Sequence, residues 1–145
     1  MWKCGIKEGC NTKKQILIVE DDTNVQGLMI AVVQSMNCCS YLAKNCEEAI
    51  NFIKLRKIDL ALIDLGLPSI DGIELSRRIK TIKPDIPIIL MSGVNLENSS
   101  IFKRLKGFTD FIAKPFNIQT VTEKIRMGLT VVPMISVDRR LDNNI

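Results

Sequence analysis

The chain of 145 residues has no histidine, and none of its five cysteines, at positions 4, 10, 38, 39 and 46, stands in a CxxC pair. Both absences point away from a zinc site. Without imidazole, any acid–base work falls to carboxylates or lysine. An odd cysteine count without framework spacing fits a reducing compartment, with the thiols acting as small apolar side chains. Aromatic residues are only 5% of the chain, too few to interleave a basic surface with the stacking platform typical of nucleic-acid binders. No run approaches the eighteen apolar residues of a membrane span. The polar, mixed-charge start (residues 1–12) lacks the pattern of a secretory signal.

What remains is a globular balance of 46% hydrophobic and 25% charged residues, enough for one core of ordinary size. The net charge of +4 is uneven. Residues 1–97 hold twelve basic and twelve acidic side chains, and residues 98–145 hold eight and four. A basic surface on the later part would suit an acidic partner.

Gln15-Ile16-Leu17-Ile18-Val19 is a short apolar run ended by Glu20-Asp21-Asp22, the signature of a buried parallel strand. Val25, Leu28, Met29, Val32 and Met36 then recur at helical spacing, predicting a helix over 24–36. Tyr41-Leu42-Ala43 is a second strand. Asn45 and Glu48 form a capping box for a helix that buries Ala49, Ile50 and Ile53. Leu60 to Ile63 is a third strand delivering Asp64 at its end. A loop over 66–72 leads to a helix with Leu75, Ile79 and Ile82 on one face, stopped by Pro84. Ile86 to Met91 is the fourth strand, with Pro87 confined to its start. A short fourth helix is expected around 99–106, with Ile101, Phe102 and Leu105 as apolar points. Asp110 to Ala113 is the fifth strand. The last helix, about 117–132, should bury Ile118, Val121, Ile125, Leu129 and Val132. Five apolar strands alternating with five helices predict a doubly wound (βα)5 three-layer α/β sandwich around a five-stranded parallel sheet. Residues 1–13 read as an N-terminal extension, 14–132 as the domain, and 133–145 as a tail or truncated linker.

Ligands in such a fold bind beyond the carboxyl ends of the strands. Glu20, Asp21, Asp22, Asp64, Ser92 and Lys114 each follow an apolar strand and should converge there. Clustered carboxylates repel unless a cation sits among them. Their hard oxygens suit Mg²⁺, which keeps waters for phosphate. Lys114 and Ser92 can contact phosphoryl oxygens, and a carboxylate is a known covalent acceptor. The chemistry of the set is consistent with Mg²⁺-assisted phosphoryl transfer to a carboxylate.

Four stretches, Ile16 to Asp22, Leu62 to Gly72, Met91-Ser92-Gly93 and Ala113-Lys114-Pro115-Phe116, resemble in order and interval the receiver domain of bacterial two-component response regulators. The resemblance covers about 14–132 and implies the flavodoxin-like receiver fold. It implies that Asp64 is phosphorylated and that Glu20, Asp21, Asp64 and the main-chain oxygen of Gly66 hold Mg²⁺. Ser92 and Lys114 would act on the phosphoryl group, Ser92 and Phe111 would switch, and Pro115 would follow a cis peptide bond. The hydroxyl residue is Ser where Thr is more frequent, and the switch aromatic is Phe, without a phenolic OH. Gly66 and Val94 would flank the phosphoryl group, and neither can hold an attacking water. A slow loss of phosphate follows as an expectation, making the chain an acceptor with slow autodephosphorylation and no turnover enzyme.

The implied partners are a histidine kinase or histidine phosphotransfer protein and a downstream protein. The latter would meet the face of the fourth predicted helix, fifth strand and fifth predicted helix, where Lys103, Arg104, Lys106, Lys124 and Arg126 fall. The implied location is cytoplasmic. Three other readings exist: a relay or hybrid-kinase receiver passing phosphate onward, an interaction-only pseudo-receiver, and a phosphate-ester hydrolase with an aspartyl intermediate. The pseudo-receiver is at odds with the intact set of acceptor, acids, hydroxyl and lysine. The hydrolase would need a substrate-binding cap for which no length remains.

Overall fold

A computed structural model describes residues 13–66, 71–93 and 110–130. The expected helix at 99–106, Val94, Val132, the basic residues 103, 104 and 106, residues 1–12 of the extension and the tail lie outside these residues.

The described elements are β1 (Gln15–Val19), α1 (Thr23–Ser35), β2 (Cys39–Ala43), α2 (Cys46–Leu55), β3 (Leu60–Asp64), α3 (Gly72–Ile82), β4 (Ile88–Ser92), β5 (Asp110–Ala113) and a last helix, α4 (Ile118–Thr130). All strands pair in parallel, in the order β2-β1-β3-β4-β5. The crossover in strand order therefore falls between β1 and β3, as the doubly wound reading requires.

The two-residue period of each strand divides the core between the two sheet faces. Ile16, Ile18, Leu60, Leu62, Ile89 and Met91 pack with Met29, Val32 and Val33 of α1 and Val121 and Ile125 of α4. Leu17, Val19, Ala61, Ile63, Ile88 and Leu90 pack with Ala49, Ile50 and Ile53 of α2 and Leu75 and Ile79 of α3. Burying each large aliphatic side chain stabilises the fold by about 1.5–3 kcal/mol before entropy is subtracted. Both faces of the central strands are covered, which is why their sequences run apolar without alternation.

Local signals set the helix ends. Asp22 caps α1, accepting the N–H groups of Asn24 and Val25. Asn45 accepts the Glu48 N–H at 2.8 Å, and the Glu48 carboxylate returns to the Lys44 N–H at 2.8 Å, one residue before the cap. At the end of α1, Asn37 takes φ 60°, and its N–H reaches Gln34 O while that of Cys38 reaches Val33 O. These two bonds are a Schellman closure with Asn in the left-handed position.

Expectations at four residues need correction. Ile118 is 55% exposed and Ile82 37% exposed; each sits in a terminal turn, where the helix outruns the layer it packs on. Leu129 is only partly buried. Cys39 is disulfide-bonded, whereas Cys38 and Cys46 are free thiols. The expectation of reduced cysteines fails at Cys39 because pairing depends on proximity in space, which spacing along the chain does not reveal. Among the described residues no helix is long and apolar enough to cross a membrane.

Candidate functional site

The strand registers bring the predicted polar residues to one rim. Ladder bonds run one residue past the paired strands: Glu20 N–H donates to Ala43 O at 3.2 Å, Leu65 N–H to Met91 O at 2.8 Å, and Lys114 N–H to Ser92 O at 2.7 Å. Glu20, Asp64, Ser92 and Lys114 are thus fixed by backbone at the carboxyl ends of β1, β3, β4 and β5. Asp64 and Lys114 lie two strands apart, about 10 Å at ordinary strand spacing, which a lysine stem and a carboxylate together can close. They do close it. Lys114 Nζ stands 2.7 Å from Asp64 Oδ2 and 3.6 Å from Glu20 Oε1.

Asp64 is 4% exposed. Its Oδ1 accepts the Gly66 N–H at 2.8 Å, so one oxygen is held by the following loop and the other by Lys114. A Cβ on Gly66 would come within 3.4 Å of Oδ1, which makes position 66 a direct neighbour of the acceptor oxygen. Gly72, at the start of α3, is needed for a different reason. A Cβ there would meet Leu65 Cδ2 at 2.8 Å and the Asp64 carbonyl at 3.2 Å. Its absence lets α3 approach the strand end that carries Asp64.

Glu20 is 1% exposed. Its Oε2 accepts the Asp22 N–H at 3.1 Å, while Oε1 is buried without a hydrogen-bond partner among the described residues. Burial, and next to it the Asp64 carboxylate, push its pKa up to about 7 against the pull of the Asp22 N–H and the Lys114 charge. Burial works to lower the pKa of Lys114, but the hydrogen bond and charge of Asp64, followed by Glu20, outweigh it and the net shift is upward. The lysine is therefore a fixed cation.

Asp21 is exposed beside this pair, and Ser92 is buried at the end of β4. The Lys114–Pro115 bond is cis, as expected from the sequence. Phe111, on edge strand β5, is half-buried against the core under α2 and α3. Among the described residues, no three acidic, thiol or imidazole side chains form a ready metal cage. A cation that keeps most of its waters needs only one or two carboxylates. Glu20 Oε1 fits such an ion: among the described residues it is buried with no hydrogen bond, and only the more distant ammonium of Lys114, at 3.6 Å, offsets its charge.

Two contributors were not foreseen from the sequence. Gln26, buried on α1, donates from Nε2 to the Glu20 carbonyl at 2.8 Å and braces the acidic loop. A polar residue between apolar helix positions was its only signal. Lys124 of α4 pairs with Asp110 Oδ1 of β5 at 2.9 Å, a contact between elements that spacing along the chain does not show.

The fold and this rim define a receiver. The chain belongs to the response regulator receiver domain family, whose sequence model matches residues 16–126. It is 33% identical over 133 residues to the regulatory protein VirG of Agrobacterium tumefaciens, covering 88% of this chain and 48% of that protein. It is 33% identical over 118 residues to the phosphate regulon transcriptional regulatory protein PhoB of Pseudomonas aeruginosa, covering 80% and 52%. The chain thus spans about half the length of these two regulators. To sporulation initiation phosphotransferase F of Bacillus subtilis it is 31% identical over 117 residues, covering 80% of this chain and 94% of that protein. Among solved structures, a CheY-like receiver domain protein from Methanospirillum hungatei superposes with a TM-score of 0.73 at 29% identity, covering 81% of this chain and 94% of the other.

Proposed function

We propose that the domain accepts a phosphoryl group on the carboxylate of Asp64. The observation that carries this is the pairing of Asp64 Oδ2 with Lys114 at 2.7 Å beside Glu20 Oε1, which is buried without a hydrogen bond among the described residues and 3.6 Å from the same ammonium. It is an acceptor carboxylate held between a fixed cation and an open oxygen ligand. Glu20, Asp21, Asp64 and the main-chain oxygen of Gly66 would hold Mg²⁺, which supplies positive charge to the equatorial oxygens in transfer. An Asp64 oxygen attacks phosphorus as the bond to the donor's nitrogen breaks, and the leaving imidazole takes up a proton. That imidazole would come from outside these 145 residues, which contain no histidine. The donor is then a histidine kinase or a histidine phosphotransfer protein, which implies a cytoplasmic setting. Lys114 follows the charge to a phosphoryl oxygen and Ser92 donates its hydroxyl to another. Phe111 answers by changing its packing, and the change is read by a downstream protein at the face of β5 and α4. On that face Lys124 is engaged by Asp110 and Arg126 by Glu123.

Incubation with a small phosphodonor and Mg²⁺, followed by intact mass measurement, tests the reading. Wild type should gain one phosphoryl group, and Asp64→Asn, or wild type in chelator, should gain none. A gain that survives Asp64→Asn, or no gain in wild type, overturns it.

A further inference from the structure

Lys124 lies outside the acceptor site, yet its ammonium touches the strand that carries Phe111 in two ways. Nζ is 2.9 Å from Asp110 Oδ1 and 5.9 Å from the centroid of the Phe111 ring. The same Asp110 oxygen accepts the Phe111 N–H at 2.8 Å. One carboxylate oxygen therefore joins a helix cation to the backbone of the residue whose ring that cation faces.

The placement sharpens the point. Asp110 alternates with Ile112, which packs on the α1 and α4 side, whereas Phe111 packs on the opposite face of the sheet. The ammonium of Lys124 thus meets side chains from both faces of β5, the last strand in the sheet order. The pair is 30% and 28% exposed, about half as open as the Arg126–Glu123 pair on the same helix at 60% and 52%. Partial withdrawal from water is what raises such a pair above the negligible worth of most surface ion pairs. Three residues on, Lys114 N–H is bonded to Ser92 O, so β5 ties this contact to the acceptor rim through a short, hydrogen-bonded strand.

We propose that Lys124, with Asp110 as its bridge, is a positioning residue that latches the Phe111 ring in its unphosphorylated place. The inference rests on the reading of Phe111 as the residue that answers Asp64. A ring that leaves its packing loses the cation above it, so the latch weighs against the rearranged state. Removing the ammonium should raise the population of that state about two- to fivefold. A ligand that favours the rearranged state should bind tighter by the same factor.

The test uses the full chain with fluorophenylalanine at position 111, read by ¹⁹F NMR, and beryllium fluoride with Mg²⁺ as a reversible phosphoryl mimic. Lys124→Met should increase the displaced-ring signal of the free protein and tighten the mimic, each about two- to fivefold. Lys124→Arg should restore both, and Asp110→Asn should reproduce Lys124→Met. The arginine rescue separates positioning from mere packing, because both variants keep an unbranched stem of similar length and only arginine keeps the charge. A Lys124→Met ring spectrum and mimic affinity equal to the parent's overturn the latch. If the parent itself shows no Asp64-dependent binding of the mimic, the acceptor reading fails instead, and the ring spectrum alone still decides the latch.

Discussion

Replacing Glu20 by glutamine should stabilise the metal-free domain at alkaline pH and leave it nearly unchanged in acid. In the fold this carboxyl has its pKa raised from 4.5 to about 7, first by burial and then by Asp64 beside it. A raised folded pKa means that the fold prefers the protonated form. Its contribution is fully present below pH 4.5, declines from there, and is lost as pH rises through about 7. The interval corresponds to a penalty on the order of 3 kcal/mol at pH 8.5. That figure is an upper bound, since the Lys114 ammonium at 3.6 Å offsets part of the same charge. Glutamine keeps the shape and an oxygen for the Asp22 N–H while removing the charge. Urea unfolding in chelator at pH 5 and pH 8.5 measures the difference. Glu20→Gln should gain on the order of 2–3 kcal/mol at pH 8.5, a rise in Tm of several degrees for a domain of this size. At pH 5 it should gain a small fraction of that. Adding Mg²⁺ at pH 8.5 should then stabilise wild type more than the variant. An equal gain at both pH values would show that packing, and not buried charge, sets the effect.

Three further perturbations probe other parts of the molecule. Gly66→Asn places an amide beside Asp64 Oδ1, where a Cβ already comes within 3.4 Å, and should speed loss of the acyl phosphate about tenfold by holding an attacking water; a time course with equal or slower loss refutes the expectation that wild type is slow for want of such a group. Asn37→Val puts a β-branched residue at φ 60° and should cost about 1–2 kcal/mol in urea unfolding, while Asn37→Gly should be neutral or gain a few tenths; a valine variant as stable as wild type would contradict the left-handed closure. Ser40→Ala removes a hydroxyl that is buried in β2 without a hydrogen-bond partner among the described residues and should raise stability by about 1 kcal/mol; a loss of stability would reveal a partner for that oxygen.

The strands were legible because each is an apolar run closed by a polar residue, and the same pattern exposed the site. Glu20, Asp64, Ser92 and Lys114 are where the runs stop, and parallel pairing turns those stops into one rim. Helix existence followed from periodicity, but burial at helix ends did not. Ile82 and Ile118 fit the apolar stripe and still face water, because periodicity gives a direction around the axis and says nothing about where the neighbouring layer ends. Gln26 on Glu20 and Lys124 on Asp110 were out of reach for a related reason. Each is a contact between elements whose relative height is set only once the sheet and helices have packed. The disulfide at Cys39 belongs with them.

The resting arrangement of charges also bears on how transfer can proceed. Lys114 is shared unequally, 2.7 Å from Asp64 and 3.6 Å from Glu20, so the ammonium compensates the acceptor first and leaves the Glu20 oxygen exposed to its neighbour's charge. With Asp64 converted to the proposed acyl phosphate, its carboxyl would no longer carry that charge, and the dianionic phosphoryl group would carry more of it a bond or two further out. The ammonium that held Asp64 then needs to move only slightly to meet a phosphoryl oxygen. Glu20 gains nothing from that move, since the site as a whole has become more negative. On the proposed function, a divalent cation held by Glu20 and Asp21 would therefore be required more strongly by the product than by the resting state. On this reasoning metal and phosphoryl group each tighten the hold of the other, and Lys114 alone cannot replace the metal.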